Sequence, residues 1–172
     1  MNLKIRDSKG KKEGPGNNIF SQSNVLINGW IEMKISNDYS CSEIIYENLP
    51  YGTYEFTLTK PIFLPKGIVC GIFLYEDDKH EYDIEFGRWN KFFNKNLQFV
   101  NQSNGDCRRY WDFSSVEKIK ITYQKSYIKF KVNNIEETFE NHNLTKPNLH
   151  INLWIYGKKD KADINLYGTD KG

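Results

Sequence analysis

From Val25 onward, the sequence is a succession of short runs in which apolar and polar residues alternate, and turn residues separate the runs. Alternation with a period of two predicts half-buried strands, and many such runs are typical of an antiparallel sandwich or barrel. Strands are predicted at 25–27, 30–35, 54–58, 68–75, 81–86, 97–100, 118–123, 127–132, 135–139, 149–156 and 163–167. No segment has the periodicity of a helix, so the chain is predicted to be all-β.

Two turn signals indicate hairpins between neighbouring runs. Asn28-Gly29 lies between the first two predicted strands, and Asn-Gly is the strongest two-residue hairpin signal. Asn133-Asn134 lies between two later strands and marks a second hairpin. The run 68–75 is almost continuously apolar, which predicts a central strand that is buried on both faces.

Length and composition favour a single domain. A chain of 172 residues can bury a real core but is short for two domains, and we find no internal repeat or linker. Tyr and Phe, at eleven each, suit strands better than helices. Residues 1–16 are polar, charged and contain Gly and Pro, so we expect a disordered lead-in before one β-sandwich domain over 17–172.

Charge, hydropathy and cysteine usage exclude several kinds of partner. The formal net charge is +2 and basic residues are interspersed with acidic ones, so no nucleic-acid partner is expected. No apolar run approaches the roughly 20 residues that cross a bilayer, and the start of the chain lacks a secretory apolar region. Cys41, Cys70 and Cys107 are odd in number and lack metal-ligand spacing, so we predict neither a disulfide framework nor a metal site.

The run 81–86 contains three carboxylates at alternate positions. In an extended strand Glu81, Asp83 and Glu85 share one face, and the apolar and aromatic residues between them share the other. Three acids on one face repel each other, which a sequence selected for stability alone has little reason to keep. An exposed strand on the solvated side of a sheet also carries alternating acids, so the pattern by itself leaves both interpretations open.

Glycoside hydrolysis is one chemistry that needs such a group. It requires one ionised carboxylate as nucleophile or base and one protonated carboxyl as acid. A neighbouring negative charge raises the pKa of a carboxyl, so Asp83 can help to keep Glu85 protonated while it orients Glu81. Residues four apart on a flat strand have Cα atoms about 13 Å apart, so strand curvature and the long Glu side chains must bring the outer carboxyls together.

The segment Glu81-Tyr82-Asp83-Ile84-Glu85-Phe86 resembles the Glu-Ile-Asp-Ile-Glu-Phe signature of the family-sixteen glycoside hydrolases, which include the bacterial lichenases. Further segments resemble other strands of that family in the same order along the chain, from about Asn24 to Tyr167. They are Cys41-Ser42-Glu43, Tyr51-Gly52-Thr53-Tyr54-Glu55, Gly71-Ile72-Phe73-Leu74-Tyr75, Leu97-Gln98-Phe99, Tyr127-Ile128-Lys129-Phe130 and Asn152-Leu153-Trp154. A chance match to one short motif does not extend over most of a chain.

The resemblance implies a fold and an activity. The fold is a two-sheet antiparallel jelly-roll sandwich of the concanavalin A type, and the activity is that of a retaining endo-β-glucanase acting on a β-1,3/1,4-linked polysaccharide. By the same resemblance Glu81 is the nucleophile, Asp83 the orienting acid and Glu85 the general acid/base. Neither a cofactor nor a metal is implied, and a monomer is expected. Family members are usually secreted, whereas this sequence shows no signal peptide, so localisation is left open.

Four further residues are candidates for substrate binding. Asn152 and Trp154 share one face of a predicted strand with His150 and Tyr156, and aromatic rings beside polar groups suit a sugar. Glu43 belongs to a segment that resembles part of the family's substrate cleft. Trp89 follows the acidic strand, and an aromatic residue at this position is equally consistent with a sugar subsite and with core packing.

Three departures from the family leave other functions open. Family members often carry a His near the start of the strand that begins here around Glu117 and Lys118, and this sequence has none there. The basic residue expected shortly after Glu43 is absent, with Ile44 and Ile45 instead, and the chain is shorter than typical members. Shortened loops favour a second hypothesis, a non-catalytic carbohydrate-binding sandwich with a degenerate cleft. A third is a structural sandwich without a sugar site, because fold does not determine function.

Overall fold

The computed structural model describes residues 1–61, 64–89 and 95–169, and within them two antiparallel sheets of seven strands pack face to face. The first, here called the cleft sheet, consists in spatial order of β1 (Asn2–Ile5), β4 (Ser42–Glu47), β13 (Asn148–Ile155), β6 (Ile68–Asp77), β7 (His80–Gly87), β8 (Leu97–Asn101) and β9 (Asp106–Tyr110). The second, the outer sheet, consists of β12 (Ile135–Glu140), β11 (Tyr127–Val132), β10 (Val116–Tyr123), β5 (Gly52–Thr59), β14 (Ala162–Thr169), β3 (Ile31–Ile35) and β2 (Val25–Ile27). A 3₁₀ helix spans Gln22–Asn24. The predicted all-β sandwich is confirmed, although the range 17–172 includes residues 62, 63, 90–94 and 170–172, which lie outside the described residues.

Strand alternation builds the core between the two sheets. In β7, Tyr82, Ile84 and Phe86 are completely buried, as the alternation of this strand predicts. Tyr82 packs edge-on against Phe139 of the outer sheet at 6.1 Å, and its hydroxyl donates to the carbonyl of Glu140 at 2.7 Å. Burying each large side chain stabilises the fold by about 1.5–3 kcal/mol. The buried face of β7 therefore fixes the position of its opposite, acidic face.

The turn signals in the sequence are confirmed as hairpins, with one difference in length. Asn133-Asn134 joins β11 and β12 as a two-residue turn, and Asn133 has a φ of 53°. The turn at Asn28-Gly29 includes Trp30 as well, since Ile27 pairs with Ile31. Gly29 has a φ of 71°, a conformation that glycine adopts without steric cost.

The expectation that residues 1–16 form a disordered lead-in is wrong, because β1 pairs with β4 at the edge of the cleft sheet. Leu3 and Ile5 alternate with polar residues and pack against the core, which is the signature of an edge strand. The surrounding charges and glycines mask this pattern in the sequence. Strands β4 and β9 were not predicted either, because each contains several polar or charged residues.

Glu117 lies on the core face of β10 with no exposed surface. It shares a hydrogen bond with Asp112, and the Asn133 Nδ2 donates to its Oε2 at 2.5 Å. Burial raises the pKa of Glu117 to about 9, and the hydrogen bond and charge of Asp112 act in the same direction. A carboxyl in this setting keeps its proton at neutral pH and donates to Asp112.

Replacing Glu117 by Gln is expected to make stability less sensitive to alkaline pH. An acid with a higher pKa in the folded chain than in the unfolded chain binds more protons when folded, so the free energy of unfolding falls as pH rises from 4.5 to about 9. Gln resembles the protonated acid and does not titrate. Between pH 5 and 9, the Tm of the wild type should fall by several degrees more than that of the variant, because about 1 kcal/mol shifts Tm by 2–4 °C at this size. Glu136→Gln, at an exposed position of β12, is the control, and equal Tm slopes for all three proteins contradict the assignment.

Candidate functional site

The three acids of β7 line one cavity of about 520 Å³ on the open face of the cleft sheet. Strand pairing sets what lies beside each acid on β6. Glu81 is paired with Tyr75, Asp83 with Phe73 and Glu85 with Gly71. The floor of the cavity is therefore aromatic beside the first two acids and bare backbone beside Glu85.

Glu81 and Asp83 form a hydrogen-bonded pair of acids. Asp83 is 2% exposed, and burial is the main cause that raises its pKa well above the usual range, with the charges of Glu81 and Glu85 adding to it. Burial also raises the pKa of Glu81, and a hydrogen bond that joins Asp83 to Glu81 opposes this shift in part. Gln102 holds the other side of Asp83, because its Nε2 donates to Oδ2 at 2.7 Å. The shared bond raises the pKa of Asp83 and lowers that of Glu81, so Asp83 is the member of the pair that donates.

Glu85 occupies a different environment. Burial raises its pKa, and the negative charge of Glu81 acts in the same direction. The Gln98 Nε2 donates a hydrogen bond to Glu85 Oε2, and the positive charge of Arg109 on β9 also opposes the shift. Burial thus raises the pKa of both outer carboxyls of β7, and they differ in their hydrogen-bond partner, a second acid for Glu81 and an amide for Glu85.

The opposite wall of the cavity contains a buried polar cluster around Glu43 of β4. The Arg6 Nη1 lies 2.7 Å from one oxygen of Glu43, and the His150 Nδ1 lies 2.6 Å from the other. Arg6 follows β1, and its Nη2 also donates to the carbonyl of Gly14 at 2.8 Å, which holds the segment containing Gly14 and Pro15 at the rim of the cavity. The basic partners of Glu43 thus come from the N-terminal segment and from β13.

Asn152 and Trp154 project from β13 into the same cavity. Asn152 is 1% exposed and pairs with both Glu43 and Gly71 across the sheet. Its Oδ1 accepts a hydrogen bond from the Gly71 N–H at 3.2 Å, and a side chain at Gly71 would place a Cβ only 2.6 Å from that oxygen. Trp154 is half-buried, and the segment at Gly16 lies against its ring.

Six of the seven candidate residues line this one cavity: Glu43, Glu81, Asp83, Glu85, Asn152 and Trp154. Trp89 is the exception. It lies in the turn after β7 with a φ of 44°, half-buried and outside the described lining of the cavity.

Several residues that shape the site were not predicted. Gln98 and Gln102 contact the acids from β8 and the residue that follows it, and their position depends on strand pairing. Arg6 belongs to the segment that we expected to be disordered. His150, by contrast, lies on the strand face that the alternation of 149–156 assigns to Asn152 and Trp154, although its bond to Glu43 was not predicted.

The described residues include no helix that is long and apolar enough to span a membrane. No protein-family model matches the sequence, and no curated protein matches it.

Solved structures of similar fold exist. A β-glucanase from Bacillus licheniformis has a TM-score of 0.71 and 20% sequence identity, and the match covers 97% of this chain and 92% of that one. A β-1,3-1,4-glucanase (lichenase) derived from a mouse hindgut metagenome has a TM-score of 0.68 and 20% identity, covering 96% and 90%. A β-1,3-glucanase from Mycobacterium marinum has a TM-score of 0.67 and 16% identity, covering 96% and 88%. At these identities the likeness establishes the fold, and it confirms the jelly-roll sandwich that the sequence resemblance implied.

Proposed function

We propose that this chain is a glycoside hydrolase that cleaves a β-glucan within the chain and retains the configuration at the anomeric carbon. The observation that carries the proposal is the unequal setting of Glu81 and Glu85 in one open cavity. Burial raises the pKa of both, but Glu81 shares a hydrogen bond with a second acid, Asp83, whereas Glu85 accepts one from the amide of Gln98. A retaining glycosidase needs one ionised carboxylate as nucleophile and one protonated carboxyl as acid, and we assign the first role to Glu81 and the second to Glu85.

In the proposed reaction, Glu81 attacks the anomeric carbon while Glu85 gives its proton to the leaving glycosidic oxygen. The C–O bond to the leaving group breaks and a covalent glycosyl–Glu81 ester forms. Glu85, now ionised, then removes a proton from water, and the resulting hydroxide displaces Glu81. Asp83 donates its hydrogen bond to Glu81 throughout, which orients the nucleophile and holds it in its ionised form.

Substrate binding is proposed for the far wall of the cavity. Asn152 lines the cavity, and its Nδ2 group is without a hydrogen-bond partner among the described residues. Trp154 offers an aromatic face to sugar C–H groups, and Glu43 is held by Arg6 and His150 as a fixed acceptor. Trp89 remains a proposed subsite residue beyond the end of β7. The names of the three similar structures support a β-1,3- or mixed β-1,3-1,4-glucan as substrate.

The test is release of reducing sugar from a panel of lichenan, laminarin, xyloglucan, agarose and carrageenan. We expect release from lichenan or laminarin, with oligosaccharides of several lengths as early products, because the cavity is open and admits the middle of a chain. The double variant Glu81→Gln, Glu85→Gln is the control for contaminating enzymes. Binding to a glucan without release indicates the carbohydrate-binding module instead. If the protein neither binds nor cleaves any glycan of the panel, the proposed function is wrong.

A further inference from the structure

Two buried polar atoms in the cavity have no hydrogen-bond partner within the described residues: His150 Nε2 and Asn152 Nδ2. An unsatisfied buried polar group costs about 1–3 kcal/mol, so a protein rarely keeps one without a role for it. Both side chains line the cavity that contains the β7 acids. A molecule bound in the cavity could thus supply the missing hydrogen-bond partners of both atoms.

Glu43 determines which hydrogen-bonding group His150 presents to the cavity. The Nδ1 of His150 donates to Glu43 Oε1 at 2.6 Å, because a carboxylate can only accept. In the tautomer of the neutral ring that this bond selects, the proton is on Nδ1 and Nε2 carries the lone pair. Asn152 Nδ2, by contrast, can only donate. The two orphan atoms therefore form an acceptor and a donor next to each other on one strand.

Packing holds the His150 ring in this orientation. The ring stacks on Phe73 with centroids 4.8 Å apart and an interplanar angle of 17°, and it meets Tyr75 edge-on at 5.6 Å. Arg6 binds the second oxygen of Glu43 at 2.7 Å, so Glu43 cannot turn away from His150. A ring that is fixed on three sides loses little conformational entropy when it binds a ligand.

We propose that His150 is a substrate-binding residue whose Nε2 accepts a hydrogen bond from a sugar hydroxyl while Asn152 Nδ2 donates to a neighbouring sugar oxygen. This inference rests on the proposed function and assigns a residue that the family resemblance did not supply. A sugar ring carries adjacent hydroxyls, each of which both donates and accepts, so it satisfies both atoms at once.

Strand register places this sugar beside the reacting centre. Across the sheet His150 pairs with Phe73, which pairs with Asp83, and Asn152 pairs with Gly71, which pairs with Glu85. Two strand spacings, about 9.5 Å, separate β13 from β7. A ring that lies over Phe73 and the bare backbone of Gly71 spans this interval and meets the acids with its other edge.

Two substitutions separate a binding role from a structural one. His150→Asn keeps a donor to Glu43, because its amide N–H takes the place of Nδ1, and it removes the acceptor at Nε2. His150→Gln places an amide oxygen near the position of Nε2 and removes the link to Glu43. His142→Gln, at a histidine outside the described lining of the cavity, is the matched control.

The measurement is calorimetric binding of a mixed-linkage β-glucan tetrasaccharide to each variant, made in a Glu81→Gln background that prevents turnover. We expect Kd to rise about tenfold for His150→Asn, the value of one neutral hydrogen bond, and by threefold or less for His150→Gln. The control should match its parent. A larger loss for Gln than for Asn means that His150 only supports Glu43, and it overturns the inference.

Failure of the inference and failure of the proposed function give different results. If the Glu81→Gln parent binds the tetrasaccharide and both His150 variants bind it equally well, the inference is wrong and the proposed function stands. If the parent binds no glycan and the wild type releases no sugar, the proposed function is wrong and the inference fails with it.

Discussion

Replacing Glu81 by Ala is expected to lower the rate of β-glucan hydrolysis by about 10⁴-fold or more, because the variant has no group that can form the covalent intermediate. Azide should restore turnover of an activated aryl β-glycoside. The small anion fits in the space that the carboxylate leaves and attacks from the same side, so the product is an α-glycosyl azide. Product configuration is measured by NMR and the rate by release of the aryl group.

Glu136→Ala is the matched control for this experiment. Glu136 lies on β12 of the outer sheet, where it is exposed and pairs with Lys129 at 3.5 Å, so its loss should leave activity unchanged. Turnover close to that of the wild type after loss of Glu81 contradicts its role as nucleophile. An α-configured first product from the wild type contradicts retention.

Replacing Glu85 by Ala should lower hydrolysis of the polysaccharide by roughly 10²–10⁴-fold, the usual contribution of a general acid. Substrates with good leaving groups need little protonation, so formation of the intermediate from an activated aryl β-glycoside should be nearly unaffected. Glu81 remains in place, and azide should therefore react with the intact intermediate to give a β-glycosyl azide. The opposite configurations of the two azide products distinguish the roles of the two residues.

The pH profile gives a second measure of Glu85. Burial raises the pKa of this carboxyl, so it stays protonated to a higher pH than an exposed Glu does. Activity of the wild type should fall on the alkaline side as Glu85 loses its proton. In Glu85→Ala, the alkaline limb of kcat/KM for the activated substrate should disappear. An unchanged alkaline limb assigns that ionisation to another group.

Part of this site follows from strand alternation alone. The alternation of 81–86 predicted that three acids share a face opposite a buried face, and the alternation of 149–156 placed Asn152 and Trp154 together. Neither pattern contains the distance between the two strands. That Glu43 lies beside Asn152 follows from the pairing of β4 with β13, which no local signal encodes.

Two features of the site were missed for physical reasons that can be named. In β1 only Leu3 and Ile5 face the core, and an edge strand with two apolar residues resembles a polar linker. Arg6 was therefore not considered as a partner of Glu43, and the absence of a basic residue after Glu43 seemed to be a loss. Trp89 follows the last residue of β7 in a turn with positive φ, and alternation says nothing about where such a residue points.

The position of β13 between β4 and β6 has a consequence for how the protein acquires its fold. Leu149 pairs with Tyr46, about a hundred residues earlier, and with Leu74 on its other side. The entropy of closing such long loops must be overcome before these contacts form, so folding is expected on a timescale of milliseconds to seconds. During synthesis β4 and β6 are made long before the strand that joins them, and their unpaired edges are open to association with other chains. The wall of the cavity that contains Asn152 is thus among the last parts of the molecule to form. Until β13 pairs with β4 and β6, a cell that makes this protein must protect the unpaired edges of those two strands.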